Sequence, residues 1–169
     1  MSRSRGLACR LAGLVTILCL PAMAAADTPL LPPADFTTTI DAVTLTGSVA
    51  AQTTRVTTAD GSVDWTIPRW LRFAYPAPKG SAVLALADSG NLIGTQDPDQ
   101  IVVTLYRAAN PEPLAASLAA LMDPADMPQT VSHYAWMDGL VWEDGGWTLT
   151  LTDGQHVRID PLTGVFARQ

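Results

Sequence analysis

The sequence predicts a mainly β protein, an antiparallel meander that forms either a barrel or a strongly curved sheet, with one short buried helix as a plug or lid. Two observations predict the strands: turn signals recur along the second part of the chain, and apolar residues alternate with polar ones between them. A third observation predicts the helix, because one alanine- and leucine-rich stretch interrupts the alternation. Alternation between glycine-containing turns is typical of antiparallel hairpins with one buried face.

The turn signals pair glycine with aspartate, serine or threonine. They are Asp60-Gly61, Ser89-Gly90, Asp138-Gly139, Asp144-Gly145, Asp153-Gly154 and Thr163-Gly164. Four runs between them place apolar residues at every second position, over 71–75, 101–105, 147–151 and 157–159. We therefore expect strands in these runs, each with one face toward a core.

Two segments have features of helices. Residues 113–122 (PLAASLAALM) contain no β-branched residue, and Leu114, Leu118 and Leu121 fall on one helical face. This segment has almost no polar face, so we expect it to be buried as a plug or lid. Residues 34–45 have helical spacing of apolar residues, although a run of three threonines disfavours a stable helix there.

The N-terminal 26 residues are expected to be a cleavable signal peptide. The positive charges come first, at Arg3, Arg5 and Arg10, and an apolar run follows over 11–20. Cleavage after Ala24 or Ala26 satisfies the preference for small residues. The run is shorter than the ~18–20 residues of a spanning helix, which disfavours an uncleaved anchor. We expect a flexible proline-rich leader over 27–33, one domain over 34–169, and a location in the periplasm.

Charge and cysteine content exclude several kinds of site. The chain has 16 acidic and 10 basic residues, and without the three signal-peptide arginines its net charge is −9. The lysines and arginines are not clustered in the sequence, so we do not expect the protein to bind nucleic acid. Both cysteines, Cys9 and Cys19, lie in the predicted signal peptide. The mature chain is therefore expected to have no disulfide, no thiol nucleophile and no zinc–thiolate site.

The sequence offers no recognisable catalytic constellation. It contains neither a G-x-S-x-G elbow nor an H-E-x-x-H pair nor a phosphate-binding glycine loop. His133 and His156 are its only imidazoles, and both are expected to be surface residues of strands. Asp97 and Asp99 lack the ligand spacing of a calcium loop and are expected in a turn. We expect no enzyme activity and no cofactor.

One stretch, over 60–108, has the order of features found in a known family. It contains Trp65, then Pro68, then the sequence LRFAY over 71–75, prolines in the following loop, and an apolar strand that ends in ADSG over 87–90. This order resembles the periplasmic outer-membrane lipoprotein carrier proteins of the LolA type, over about half of the mature chain. The chain departs from the family at Ile67, where the family commonly has an arginine that holds its lid helix closed.

The resemblance implies an unclosed β-barrel with a helical lid over an apolar cavity. In that family the cavity carries lipoprotein acyl chains toward the outer membrane, between membrane-bound sorting partners. Each exposed methylene of an acyl chain costs roughly 0.8 kcal/mol, so a dry cavity is what such cargo needs. Nine apolar residues on the inferred inward faces are the candidate lipid-binding residues: Trp65, Leu71, Phe73, Tyr75, Leu86, Leu114, Leu118, Trp147 and Leu149.

Two other hypotheses belong to different functional classes. Relatives of the same fold act as periplasmic sensors, so a protein-interaction module that binds a membrane partner is the main alternative. A packed core without a cavity favours this alternative over the carrier. An enzyme of unrecognised type requires His133 or His156 in a cleft beside a carboxylate.

Overall fold

A computed structural model describes residues 30–169, and the predicted signal peptide lies outside these residues. Within this range the chain is mainly β, as the sequence predicts. Its strands form three four-stranded antiparallel sheets and one two-stranded ribbon, and none of these sheets is closed into a barrel. No helix between residues 30 and 169 is long and apolar enough to cross a membrane.

The first sheet is a meander of four consecutive strands. They are β1 (Phe36–Ile40), β2 (Val43–Ser48), β3 (Thr53–Thr58) and β4 (Asp64–Ile67), hydrogen-bonded in that order. The expectation of a helix over 34–45 is wrong, because these residues form the β1–β2 hairpin. The threonine run explains the difference, since β-branched side chains favour a pleated strand over a helix.

The second sheet contains β5 (Ala74–Pro76), β6 (Ala82–Leu86), β8 (Ile101–Arg107) and β9 (Asn110–Ser117), in that order. All five residues of β6 are buried, as expected for a strand covered on both faces. Leu84 packs into a large core on one face, and Val83 packs into a smaller core on the other. This sheet therefore separates the two cores of the molecule.

The expected helix over 113–122 is largely wrong. Residues up to Ser117 belong to β9, and only α1 (Leu118–Leu121) is helical. Leu114, Ala116 and Leu118 also fit a period of two, and β8 offers an unpaired edge along which β9 forms its ladder. A strand satisfies more backbone groups here than an isolated short helix would.

The last sheet is a second meander of consecutive strands. They are β11 (Met137–Glu143), β12 (Gly146–Leu151), β13 (His156–Ile159) and β14 (Phe166–Arg168). The Asp-Gly turn predicted between the first two of these strands is confirmed, since Asp144 (φ 46°) and Gly145 (φ 78°) both have positive φ, as a two-residue hairpin turn requires. The expected alternation in 147–151 is also confirmed, because Trp147, Leu149 and Leu151 are buried.

A short ribbon connects the second and last sheets. It pairs β7 (Leu92–Ile93) with β10 (Tyr134–Ala135), and a single 3-10 turn lies at Pro124–Asp126. Trp136 follows the ribbon and is fully buried in the larger core, where its indole donates a 2.9 Å hydrogen bond to the carbonyl of Gly90. A buried indole needs such an acceptor, and this bond joins the turn after β6 to the residue before β11.

Candidate binding surfaces

The nine predicted lipid-binding residues are divided between the two cores. Trp65 and Leu71 belong to the smaller core, below the first sheet. The other seven belong to the larger core or pack against it: Phe73, Tyr75, Leu86, Leu114, Leu118, Trp147 and Leu149. The side chains of Leu118 and Leu149 are fully buried among protein atoms. The structure therefore brings seven of the nine together and places two on the opposite side of β6.

Ile67, which stands where the LolA-type family commonly has an arginine, is fully buried in the smaller core. Its partners there are apolar, including Val43 and Val56. An arginine at this position would bring a charge into an apolar core at a cost of several kcal/mol. An apolar residue such as isoleucine therefore fits this position, and an arginine does not.

The two histidines lie on different elements. His156 is exposed at the start of β13 and lies 3.2 Å from the hydroxyl of Thr150. His133 is partly buried in the loop before β10, with Nδ1 2.8 Å from the hydroxyl of Ser132. Within residues 30–169, no group of three or more His, Asp or Glu side chains is placed to hold a metal ion.

An open aromatic groove lies where the first, second and last sheets meet. We define the aromatic groove by Ile40, Tyr75, Pro76, Leu140, Trp142 and Trp147, which are among the residues that line it. Its volume is about 100 Å³, below the ~300 Å³ at which pockets for small molecules begin. Such a groove accommodates one or two side chains of a partner. Tyr75 and Trp147 were predicted as cavity residues, whereas Ile40 and Trp142 were not.

Two tryptophans form the floor and rim of the aromatic groove. Trp142 and Trp147 face each other across the β11–β12 hairpin, with ring centroids 4.8 Å apart and planes at 83°. Edge-to-face packing of this kind is favourable by about 0.5–1.5 kcal/mol. Trp147 is only 2% exposed, whereas Trp142 is 37% exposed. One ring is therefore anchored in the core and holds the other at the surface.

The groove adjoins an unpaired strand edge. β11 is the outermost strand of its sheet, and no strand between residues 30 and 169 pairs with its outer side. Glu143 and Gly146 close a two-residue turn, so hydrogen-bonded pairs alternate from there along the hairpin. The backbone groups of Leu140 and Trp142 consequently point away from β12, toward the unpaired edge of the sheet.

Other edges of the molecule carry prolines. Pro76 ends β5, Pro111 and Pro113 lie in β9, and Pro68 directly follows β4. Proline on an edge strand removes donors and discourages pairing with another chain. β11 contains no proline, and its exposed side chains include Val141, which is 52% exposed. The outer edge of β11 is thus open to an additional strand.

The charges around the groove are acidic. Asp41 is part of the groove lining, and Asp138 and Glu143 are exposed residues of β11. No lysine or arginine is among the described residues that line the groove. Burial raises the pKa of the Tyr75 hydroxyl above its usual value, which reflects poor hydration at the groove wall. A partner with alternating apolar and cationic side chains suits this surface.

A second aromatic surface lies on the first sheet and is covered by the chain itself. We define the leader platform as Phe36, Trp70 and Arg72. The Trp70 ring contacts the Phe36 ring edge-on, with centroids 6.2 Å apart, and the Arg72 guanidinium lies 5.3 Å from the centroid of the Trp70 ring. The segment over 30–35 lies on this platform and is held by hydrogen bonds from Trp70 and Arg72.

The buried hydroxyl of Thr54 fixes the backbone beneath the leader platform. It donates to the carbonyl of Arg69 at 3.0 Å and accepts from the amide of Leu71 at 3.1 Å. Trp70 lies between these two backbone groups, so its direction is set by β3. No sequence pattern indicates the two residues that Trp70 contacts, Ala34 and Phe36, which lie 36 and 34 positions earlier in the chain.

Comparison with known proteins yields little. No family model matches the chain, and no curated protein matches it. Among solved structures, it is similar to one described as "Crystal structure of HIRA(644-1017)", with 13% identity and a TM-score of 0.47. The matched region covers 79% of this chain and 38% of that chain. A likeness of this size implies neither a shared family nor a shared function.

Proposed function

We propose that this protein is an exported, non-catalytic interaction module that binds an extended polypeptide segment of a partner along the outer edge of β11. The supporting observation is the unpaired edge beside the exposed Trp142 ring. Addition of a strand to such an edge provides main-chain hydrogen bonds, and alternate side chains of the added strand enter neighbouring pockets. The predicted signal peptide supports a periplasmic location for this module.

The proposed partner segment alternates apolar and cationic residues. Its apolar side chains enter the aromatic groove, against Trp142 and Tyr75, while its cationic side chains lie near Asp138 and Glu143. Such charge pairs at the rim contribute mainly to the rate of association and to its salt dependence. Main-chain hydrogen bonds to Leu140 and Trp142 fix the register.

The test uses the protein without residues 1–26 and a synthetic eight-residue peptide of alternating valine and lysine. Binding is followed by tryptophan fluorescence. The decisive variant is Leu140→Pro, because the amide of Leu140 points away from β12 and proline there removes a donor to the partner while sparing the hairpin. Leu140 also packs against the larger core, so the reference is Leu140→Ala, which loses the side chain and keeps the amide. We expect Leu140→Pro to bind at least tenfold more weakly than Leu140→Ala, with a similar cooperative unfolding transition.

Two controls make this test specific. Val141→Pro removes an amide that faces β12, so it is expected to destabilise the hairpin itself. A peptide of alternating valine and glutamate has the same apolar pattern with the opposite charge, and it is expected to bind more weakly. Equal binding of the valine–lysine peptide to Leu140→Ala and to Leu140→Pro contradicts the proposal.

Lipid carriage is the second candidate function, and one observation favours it. Tyr75 and Trp147, both predicted lipid-binding residues, lie together in an apolar groove open to solvent. The same protein is titrated with a fluorescent long-chain acyl probe, and Trp142→Ala is the informative variant because Trp142 is exposed and outside the core. Saturable binding that Trp142→Ala weakens supports a carrier, whereas no saturable binding contradicts it.

A further inference from the structure

The proline-rich segment at the start of the described chain is seated on the leader platform like a ligand. The indole of Trp70 donates a 3.1 Å hydrogen bond to the carbonyl of Ala34. One terminal nitrogen of Arg72 donates a 2.6 Å hydrogen bond to the carbonyl of Leu31. Both bonds reach main-chain oxygens and neither reaches a side chain.

The spacing of these two carbonyls matches a polyproline II helix. That helix has three residues per turn and a rise of about 3.1 Å per residue, so carbonyls three positions apart lie on the same side. Leu31 and Ala34 are three positions apart, and Pro32 and Pro33 lie between them. The two prolines restrict φ and bias the residues before them toward the extended region, so the segment is preorganised for this contact.

The platform forms hydrogen bonds with the backbone of the segment and contacts few of its side chains. Leu31 is 79% exposed and Leu30 is 53% exposed, so neither leucine is recognised by a pocket. Within the described residues, the buried Nε of Arg72 has no hydrogen-bond partner. Because this atom is buried, it offers no further donor to the segment.

We infer that the leader platform is a binding site for an extended proline-rich segment of a partner protein, and that residues 30–35 occupy it as a built-in competitor. An aromatic ring with an indole donor that bonds a carbonyl of a polyproline II segment is a recurring mode of peptide recognition. A second copy of the same chain is a poor partner, because without its predicted signal peptide the chain carries a net charge of −9 and its copies repel each other.

The attached leader competes strongly with any added peptide. A tethered ligand acts at an effective concentration in the millimolar range, so the parent protein is expected to bind added peptide weakly. Replacing Pro32 and Pro33 by glycine loosens the leader without removing it from the chain. This variant keeps the platform residues and keeps Asp35, whose carboxylate accepts a hydrogen bond from the amide of Val49.

The experiment titrates a synthetic peptide with the sequence of residues 28–35 into the parent protein and into the Pro32→Gly/Pro33→Gly variant. Tryptophan fluorescence follows binding. We expect the variant to be half-saturated at a peptide concentration at least tenfold lower than the parent. Adding Trp70→Phe, which keeps a ring and loses the indole donor, is expected to weaken peptide binding at least tenfold.

Three outcomes overturn the inference. One is equal binding of the peptide and of a version in which its three prolines are glycines. Another is binding that Trp70→Phe leaves unchanged. The third is a dimer of the loosened variant, seen by analytical ultracentrifugation, that added peptide dissociates, because the occupant is then the leader of a second copy. Trp142→Ala is expected to leave this binding unchanged, so the site is tested separately from the β11 edge.

Discussion

The two aromatic surfaces of this molecule differ in what they offer and in what covers them. The leader platform presents hydrogen-bond donors, Trp70 Nε1 and Arg72 Nη1, and the chain's own segment satisfies them. The aromatic groove presents ring faces and an unpaired strand edge, and it is open. A partly buried donor without an acceptor is costly, whereas an exposed aromatic ring is tolerated. In this molecule the surface that presents hydrogen-bond donors has an intramolecular occupant, whereas the apolar groove is open.

Among the predicted effects on stability, we expect the largest from removing Trp147, the buried ring of the aromatic groove. Trp147→Ala removes a fully packed side chain from the larger core and should lower the free energy of unfolding by about 3–5 kcal/mol. Trp142→Ala is the matched control, since its ring is 37% exposed and its loss should cost about 1 kcal/mol. Urea unfolding followed by circular dichroism measures both. Equal losses would show that the two rings are not an anchor and a surface residue.

We expect a smaller loss of stability from a substitution that displaces Phe36, one of the three residues of the leader platform. Gly47 faces Phe36 across the β1–β2 pair, and a side chain at position 47 would occupy the space of the Phe36 ring. Gly47→Val should therefore displace Phe36, cost about 1–3 kcal/mol and loosen residues 30–35. Gly94→Val is the control, because open space surrounds Gly94.

Limited proteolysis with thermolysin, which cleaves before leucine, measures the release of the leader in these two variants. The bond before Leu30, whose next residue is leucine and not proline, should be cut faster in Gly47→Val than in the parent, and at the parent rate in Gly94→Val. Unchanged cleavage in Gly47→Val would mean that Phe36 does not support the leader.

We expect the smallest effect on stability from the carboxylate of Asp60, which belongs to neither aromatic surface. Hydrogen bonds from the Thr58 hydroxyl, and then from Ser62, lower the pKa of Asp60 to about 2 from an ordinary value of 3.8. A lowered pKa stabilises the folded protein above about pH 4, and this contribution is lost as the pH falls toward 2. Asp60→Asn should flatten the pH dependence of the unfolding midpoint between pH 4 and 2. An unchanged slope would show that the Asp60 turn does not contribute.

Local sequence signals predicted some hairpins and missed others. The turn expected at Asp138-Gly139 is wrong, because both residues lie inside β11, and only residues 74 and 75 of the strand expected over 71–75 belong to β5. Asp144-Gly145 specifies its turn because both positions need positive φ, and Trp147, Leu149 and Leu151 reveal their buried face by alternation. The segment 113–122 was misassigned because its leucines fit both a helical and a strand period. Only the unpaired edge of β8, which no local pattern records, decides in favour of the strand.

The candidate surfaces were less predictable than the hairpins. Tyr75 and Trp147 were recognised as candidates for a cavity, but their neighbour Ile40 comes from a hairpin at the other end of the domain. Trp70 and Arg72 were passed over because their acceptors lie 36 and 41 positions away along the chain. Contacts of this separation depend on how sheets stack, and alternation within a strand carries no information about stacking.

The distance along the chain between the leader and its binding residues also affects the order in which these parts fold. Residues 30–35 are synthesised before Trp70 and Arg72, which donate hydrogen bonds to them. Chains grow at about 5–20 residues per second. Arg72 follows Leu31 by 41 positions, which corresponds to a delay of roughly 2–8 seconds at that speed. Residues 30–35 are therefore present before the platform that binds them has formed. Until Trp70 and Arg72 are folded against the leader, its prolines are accessible to any other polypeptide that recognises them.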